Sequence, residues 1–193
     1  MAHERVAVYG GSFNPPHVGH VLACAWALSA GEVDRVLVVP CFVHPFAKEL
    51  APYEDRFALC GLAMGWLPGV EISRVEAELG GESLTLRTLE FLRERRPDWS
   101  LRLLIGADVL GDAPKWHRYD RVVELAPPLV MGRLGYDAPE VGPPHLPDVS
   151  SSEVRARLAA GGGAGLERLV PSAVLAYVRE RGLYRGSRDG VGS

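Results

Sequence analysis

Arg5-Val6-Ala7-Val8-Tyr9-Gly10-Gly11-Ser12-Phe13-Asn14-Pro15-Pro16-His17-Val18-Gly19-His20 decides how the rest of the chain reads. Its first five residues are a short apolar run with β-branched side chains, the pattern of a buried strand. Val21 to Ala30 follows without Gly or Pro and reads as a helix. A Gly-Gly turn and two histidines therefore fall at a strand-to-helix junction. The glycines let backbone N–H groups approach a ligand with no Cβ in the way. The helix start adds N–H groups and a partial positive charge, which suit phosphate. His17 and His20 are three apart, so in a helical turn they project from one face. Each imidazole can donate to a phosphoryl oxygen. A Gly-Gly pair alone would serve as a plain turn, and an isolated His as a structural residue, so the weight rests on the whole string.

Outward from this stretch, the pattern repeats. The first helix carries Val21, Cys24, Ala25 and Leu28 on one face, with Leu22 and Trp26 on others, and is expected to be buried and closed by Gly31. Val36–Val39 is an unbroken apolar run of the parallel-sheet type. Cys41 to Pro52 is a loop holding His44 and Lys48, and Tyr53 to Trp66 a helix with Phe57, Cys60, Gly61 and Met64 on one face. Val70–Ser73, Leu101–Ile105 and Pro128–Met131 read as strands, the last being the final one. Ser83–Arg95 and Trp116–Ala126 read as helices. Strands alternate with helices over residues 4–131, which predicts an α/β fold: a Rossmann-like parallel sheet with helices on both faces. Gly132–Val149, rich in Pro and Gly, reads as a linker. Residues 150–185 form a helical C-terminal region interrupted at Gly161-Gly162-Gly163, and 186–193 a flexible tail. The expected organisation is a single domain over residues 1–185.

Composition narrows the function classes. With 193 residues, 47% apolar and 23% charged, the chain is an ordinary globular one with room for a sizeable core. A net charge of −3 gives no broad attraction to nucleic acid or membranes, so any phosphate site must be a local cluster. No apolar run approaches the ~20 residues that span a bilayer. Cys24, Cys41 and Cys60 are widely spaced, which suits reduced thiols in a cytoplasm rather than zinc or disulfides. The chain enters a strand almost at once, and no signal peptide is expected. The sequence carries no signal for an oligomeric state.

Ser150-Ser151-Ser152-Glu153-Val154-Arg155 is the second informative stretch. Ser150 and Glu153 fit a capping box at a helix start. Taken alone it describes a well-capped helix. With Arg155 in the first turn, N–H groups, hydroxyls and a guanidinium converge as a receptor for polyphosphate.

These strings together resemble one superfamily. His17-Val18-Gly19-His20 is similar to the (T/H)xGH motif of nucleotidyltransferases, and Val149–Arg155 to its I-S-S-T-x-x-R signature, with Val149 and Glu153 in place of Ile and Thr. Ser83-Leu84-Thr85-Leu86-Arg87-Thr88-Leu89 is similar to the S-Y-T-x-x-T-L run of bacterial nicotinate-nucleotide adenylyltransferases, with Leu84 in place of Tyr. Gly106-Ala107-Asp108 with Lys115-Trp116 resembles that family's G-x-D and Trp, and Val170–Tyr184 its C-terminal helix. The matches run in order over nearly the whole chain.

The resemblance implies adenylyl transfer from ATP to nicotinate mononucleotide, with Mg²⁺ carried on the triphosphate. It implies catalytic roles for His17, His20, Lys48 and Arg155. ATP would meet Gly10, Gly11, Ser12, Phe13, His20, Gly106, Asp108, Ser150, Ser151, Ser152 and Arg155. The acceptor would meet Asn14, His44, Lys48, Thr85, Trp116 and His117. Both His44 and Lys48 stay open as the residue reaching the phosphates, because the usual Pro-Pro-His-Lys spacing is altered to His44-Pro45-Phe46-Ala47-Lys48. Asn14 stands where bacterial members carry Asp. Nicotinamide mononucleotide as acceptor, another member of the superfamily, or a silent nucleotide-binding protein remain alternatives.

Overall fold

The computed structural model describes residues 3–30, 33–44, 49–111, 116–133, 145–162 and 165–186. Six parallel strands form the sheet: β1 (Glu4–Gly11), β2 (Arg35–Pro40), β3 (Val70–Ile72), β4 (Trp99–Gly106), β5 (Pro128–Arg133) and β6 (His145–Leu146). Their order is β3-β2-β1-β4-β5-β6. Order reverses between β1 and β4, and in such sheets the crevice beyond the carboxyl ends at that switch is where ligands bind.

Side chains alternate across each strand, and this splits the core in two. Ala7, Val36, Val38 and Leu104 face one layer, which is built from α1 (Val18–Ser29), α2 (Tyr53–Met64), α7 (Ser151–Ala159), α8 (Leu166–Leu169) and α9 (Ser172–Arg181). Val6, Val8, Leu37, Val39, Leu101, Leu103 and Ile105 face the other, built from α3 (Val75–Leu79), α4 (Thr85–Arg95) and α6 (Tyr119–Leu125). A short α5 (Ala107–Leu110) follows β4. Each fully buried aliphatic side chain contributes about 1.5–3 kcal/mol of transfer free energy, so the apolar strand runs fix which segments form the centre.

Several expectations are corrected. Gly10 and Gly11 are not a turn: β1 continues through them, with Gly10 opposite Val39 and Gly11 opposite Pro40. The chain turns at Ser12–Pro16, where Phe13 takes φ 46 and the Asn14–Pro15 peptide is cis. The first helix starts at Val18, with His17 as its N-cap, and Leu22 on it is exposed rather than buried. In α2 the buried face is Asp55, Arg56, Leu59, Cys60, Ala63 and Met64, while Gly61 is exposed. The helix expected from Trp116 begins at Tyr119, after Arg118 in the left-handed region at φ 51. Residues 132–149 are more than a linker: β5 runs to Arg133, and β6 adds a sixth strand with Gly132 opposite His145. The helix α3 has no counterpart in the sequence reading. Gly31, Gly163 and the 187–193 part of the tail lie outside the described residues.

Candidate active site

A cavity of about 740 Å³ opens at the carboxyl ends of β1 and β4. Gly10, Gly11, Ser12, Phe13, His17, Gly19 and His20 line one part of it, and Ser150 and Ser151 another. Gly106, Asp108, His44, Thr85, Trp116 and His117 complete the predicted residues that face it.

The histidine pair is built by the turn into α1. The His17 N–H donates to His20 Nδ1 at 3.0 Å, and the two rings stack with centroids 3.8 Å apart. Because a backbone N–H can only donate, Nδ1 of His20 is an acceptor, which leaves Nε2 as the proton-bearing donor of the neutral ring. Phe13 meets the His20 ring edge-on with centroids 4.9 Å apart, and Tyr9 in turn meets Phe13 edge-on at 5.5 Å, so His20 is held in an aromatic corner. A Cβ on Gly19 would stand 3.0 Å from His17 Cε1 and 3.4 Å from Val149 Cγ1. The absent side chain thus lets the first turn of α1 abut the residues preceding α7. A Cβ on Gly106 would meet the Asp108 carboxylate, so that side chain would have to turn aside.

The Ser12–Pro16 loop is gripped from three distant segments. Arg56, only 1% exposed, donates from Nη1 to the Ser12 carbonyl at 3.0 Å and from Nε to the Ala51 carbonyl at 2.9 Å. From α7, Arg155 Nη1 donates to the Asn14 carbonyl at 2.8 Å and Ser151 Oγ to the Pro15 carbonyl at 2.9 Å. Asn14 Oδ1 accepts from the Ala51 N–H at 3.0 Å and from the Tyr184 hydroxyl at 2.9 Å. Burial pushes the Arg56 guanidinium down from its ordinary value and the Tyr184 hydroxyl up. Ser150 caps α7, its Oγ accepting from the Glu153 N–H at 3.1 Å.

The cavity's outline therefore differs from the sequence-based expectation. Among the described residues, Asn14, Ser152 and Arg155 do not line it. Asn14 is 3% exposed and holds the loop from behind. Arg155 is half-buried, and its Nη2 donates to Ser152 Oγ at 3.2 Å. Lys48 lies outside the described residues. Trp116 lines the cavity and meets Tyr119 edge-on, with centroids 6.3 Å apart.

Comparison with known proteins gives the family. A family profile described as cytidylyltransferase-like matches residues 8–157. A relative from Anaeromyxobacter sp. (strain K), named "Probable nicotinate-nucleotide adenylyltransferase", is 50% identical over 186 residues, 95% of this chain and 98% of its own. The chain belongs to the nicotinate-nucleotide adenylyltransferase family. A relative of the same name from Myxococcus xanthus is 42% identical over 93% of this chain and 94% of its own. The solved Plasmodium falciparum nicotinic acid mononucleotide adenylyltransferase complexed with NaAD superposes with a TM-score of 0.82 at 17% identity, over 94% of this chain and 98% of that one. At that identity the likeness carries the fold, and it agrees with the parallel α/β sheet described above.

For a member of this adenylyltransferase family, sequence reading missed three side chains around the site. Arg56, just beyond a loop where a cation is ordinarily solvated, is instead buried under the Ser12–Pro16 turn. Tyr184 reads as part of a C-terminal motif, yet its hydroxyl reaches Asn14 across 170 positions. Glu76, on the unanticipated α3, lines the cavity. None of these sits in a local pattern that could announce its partner.

Proposed function

We infer that this protein transfers the adenylyl group of ATP to nicotinate mononucleotide, giving deamido-NAD and pyrophosphate in NAD biosynthesis. The observation that carries the reading is the convergence on one cavity of the His17–His20 pair and the start of α7. The names and 50% identity of the relatives support the same chemistry.

The acceptor phosphate is already an anion near neutral pH. Its oxygen forms the new bond to the α-phosphorus of ATP as the bond from that phosphorus to the bridging oxygen breaks, and pyrophosphate departs with the electron pair. No protein nucleophile is required. Catalysis reduces to in-line positioning and charge stabilisation. His20 Nε2 and His17 would donate to the reacting phosphoryl oxygens, and Ser150 and Ser151 with the first-turn N–H groups of α7 would hold the leaving end. Arg155 would turn from its resting partners to the same end, and Lys48 is proposed to join it. Trp116 offers its negative π face to the cationic pyridinium ring. His44, Thr85 and the N–H of His117 are proposed as the acceptor's polar contacts.

Mg²⁺ is proposed to arrive on the triphosphate, where it would neutralise charge on the phosphoryl oxygens. Mg²⁺ bound chiefly through substrate phosphates and water needs no dedicated protein cage. Among the described residues no helix is long and apolar enough to cross a membrane, and cytoplasmic residence is proposed with the activity.

The test is pyrophosphate release with ATP and each acceptor in turn. Nicotinate mononucleotide should give a kcat/KM about tenfold to a hundredfold above the amide, because an NH₂ turned toward a buried N–H donor costs about 1–3 kcal/mol. Equal values for the two would overturn the acid assignment.

A further inference from the structure

Glu76 lines the cavity on the side that carries Thr85 and His44, and adenylyl transfer gives it no proton to move. Among the described residues, no guanidinium or ammonium is bonded to its carboxylate. Instead it accepts from two segments. Oε2 takes the Phe42 N–H at 3.1 Å, which Ser83 Oγ shares, and Oε1 takes the Thr88 hydroxyl at 3.3 Å. Burial pushes the carboxyl up from the usual range, against the pull of these donors and of the Arg56 charge.

An ionised carboxylate is costly to bury with only neutral donors, so a position that keeps one repays attention to what the donors share. Phe42 and Val43 follow β2 and lead to His44. Ser83 precedes α4, accepts from the Phe42 N–H at 2.8 Å and the Val43 N–H at 3.3 Å, and returns its own N–H to the Val43 carbonyl at 2.9 Å. Thr88 lies on the first turn of α4, and Leu84 at that helix's N-cap supplies no side-chain cap. The start of α4 thus takes its position from Glu76 rather than from a capping residue of its own. An acceptor-only group is the one side chain that suits both donors without turning an N–H of its own against them.

We propose that Glu76 is a positioning residue for the acceptor: its carboxylate fixes the separation between the His44 segment and the first turn of α4. That separation sets the width of the slot bounded by His44, Thr85 and Trp116. The proposal rests on the acceptor assignment made above. Misplacing a binding wall by an ångström can cost up to about a hundredfold.

The experiment compares wild type, Glu76→Gln and Thr88→Val in steady-state kinetics with ATP and nicotinate mononucleotide varied separately, with Tm measured for each. Glu76→Gln should raise the acceptor KM about tenfold or more while the KM for ATP stays within about twofold. Thr88→Val, which removes one donor and keeps the shape, should raise the acceptor KM about threefold. A folded Glu76→Gln protein with unchanged acceptor KM, or with both KM values raised alike, overturns the proposal. If Glu76→Gln does not fold, Thr88→Val decides: an unchanged acceptor KM overturns it. Wild type that fails to adenylylate any pyridine mononucleotide overturns the functional reading and this proposal with it. Wild-type transfer with an unaltered variant overturns this proposal alone.

Discussion

Two groups of arginines in this molecule are held in opposite ways. At the amino ends of the strands, Arg5, Arg35 and Arg96 each meet a carboxylate. Arg5 pairs with Asp34 at 2.8 Å, Arg35 with Glu4 at 2.8 Å and with Glu71 at 3.0 Å, and Arg96 with Asp98 at 2.9 Å. At the carboxyl ends, Arg56 and Arg155 bond to carbonyl and hydroxyl oxygens, which orient a guanidinium without cancelling its charge. The first three guanidiniums are paired with charge, and Arg56 and Arg155 are oriented by neutral oxygens. Guanidiniums held in the second way keep their charge for a further partner, even in a protein of net charge −3. The lesson is that the partner of a cation, and not the count of cations, tells whether its charge is already met.

The largest expected effect tests the histidine donors beyond the carboxyl end of β1. His20→Ala should lower kcat by about 10²–10³ with the fold intact, as for loss of one preorganised donor. Near wild-type turnover would remove His20 from the chemistry. Next, Ser152→Asp makes Arg155 resemble Arg5 by giving it a carboxylate. The KM for ATP should rise about tenfold, the cost of diverting one charge-assisted hydrogen bond to a competing partner. An unchanged KM for ATP would mean that the charge of Arg155 is not used on the triphosphate. Third, Arg56→Lys keeps the buried charge but cannot serve both carbonyls. The orphaned carbonyl should cost about 1–3 kcal/mol, seen as a fall in Tm of several degrees. An unaltered Tm would show that the guanidinium is not what holds the Ser12–Pro16 turn.

The smallest effect lies among the charge-paired arginines. Asp34 is held by Arg5 hydrogen bonds well below its ordinary range, at about 2. A carboxyl lowered on folding stabilises the protein above its unfolded value and loses that contribution as pH falls through the folded one. Asp34→Asn should thus lower the urea midpoint slightly at pH 7, with the difference from wild type closing between about pH 4 and pH 2. A difference that persists at the acid end would contradict the ion pair as its source. Activity should not change at all, and a large loss would break the contrast between the two groups of arginines.

The fold is legible because buried parallel strands are written as apolar runs: Val36–Val39 and Leu103–Ile105 need no partner to be recognised. The two motif stretches, around His17–His20 and Ser150–Arg155, are legible for a similar reason, since each is contiguous. Legibility fails where the determinant is a long-range partner. Gly10-Gly11 reads as a turn, but β2 offers Val39 and Pro40 for pairing and the glycines stay in the strand. Asn14 reads as an acceptor contact, but the Ala51 N–H and Tyr184 hydroxyl claim its oxygen. Ser150 and Glu153 read as a reciprocal box. Only Ser150 makes its half, and the Glu153 carboxylate goes one turn onward to Arg157 at 2.6 Å. His145–Leu146 is too short a strand to stand out among prolines and glycines.

The three-way grip on the Ser12–Pro16 loop has a consequence for how the protein is made. When synthesis has reached residue 150, all six strands exist, yet Ser151, Arg155 and Tyr184 do not. The Pro15 and Asn14 carbonyls and the Asn14 side chain still wait for donors separated from them by 136, 141 and 170 positions. Sheet formation and assembly of the site are therefore separated in time, the second waiting on the last tenth of the chain. A product terminated before Tyr184 carries the whole sheet and both histidines, but its loop lacks the hydroxyl that holds Asn14 in place.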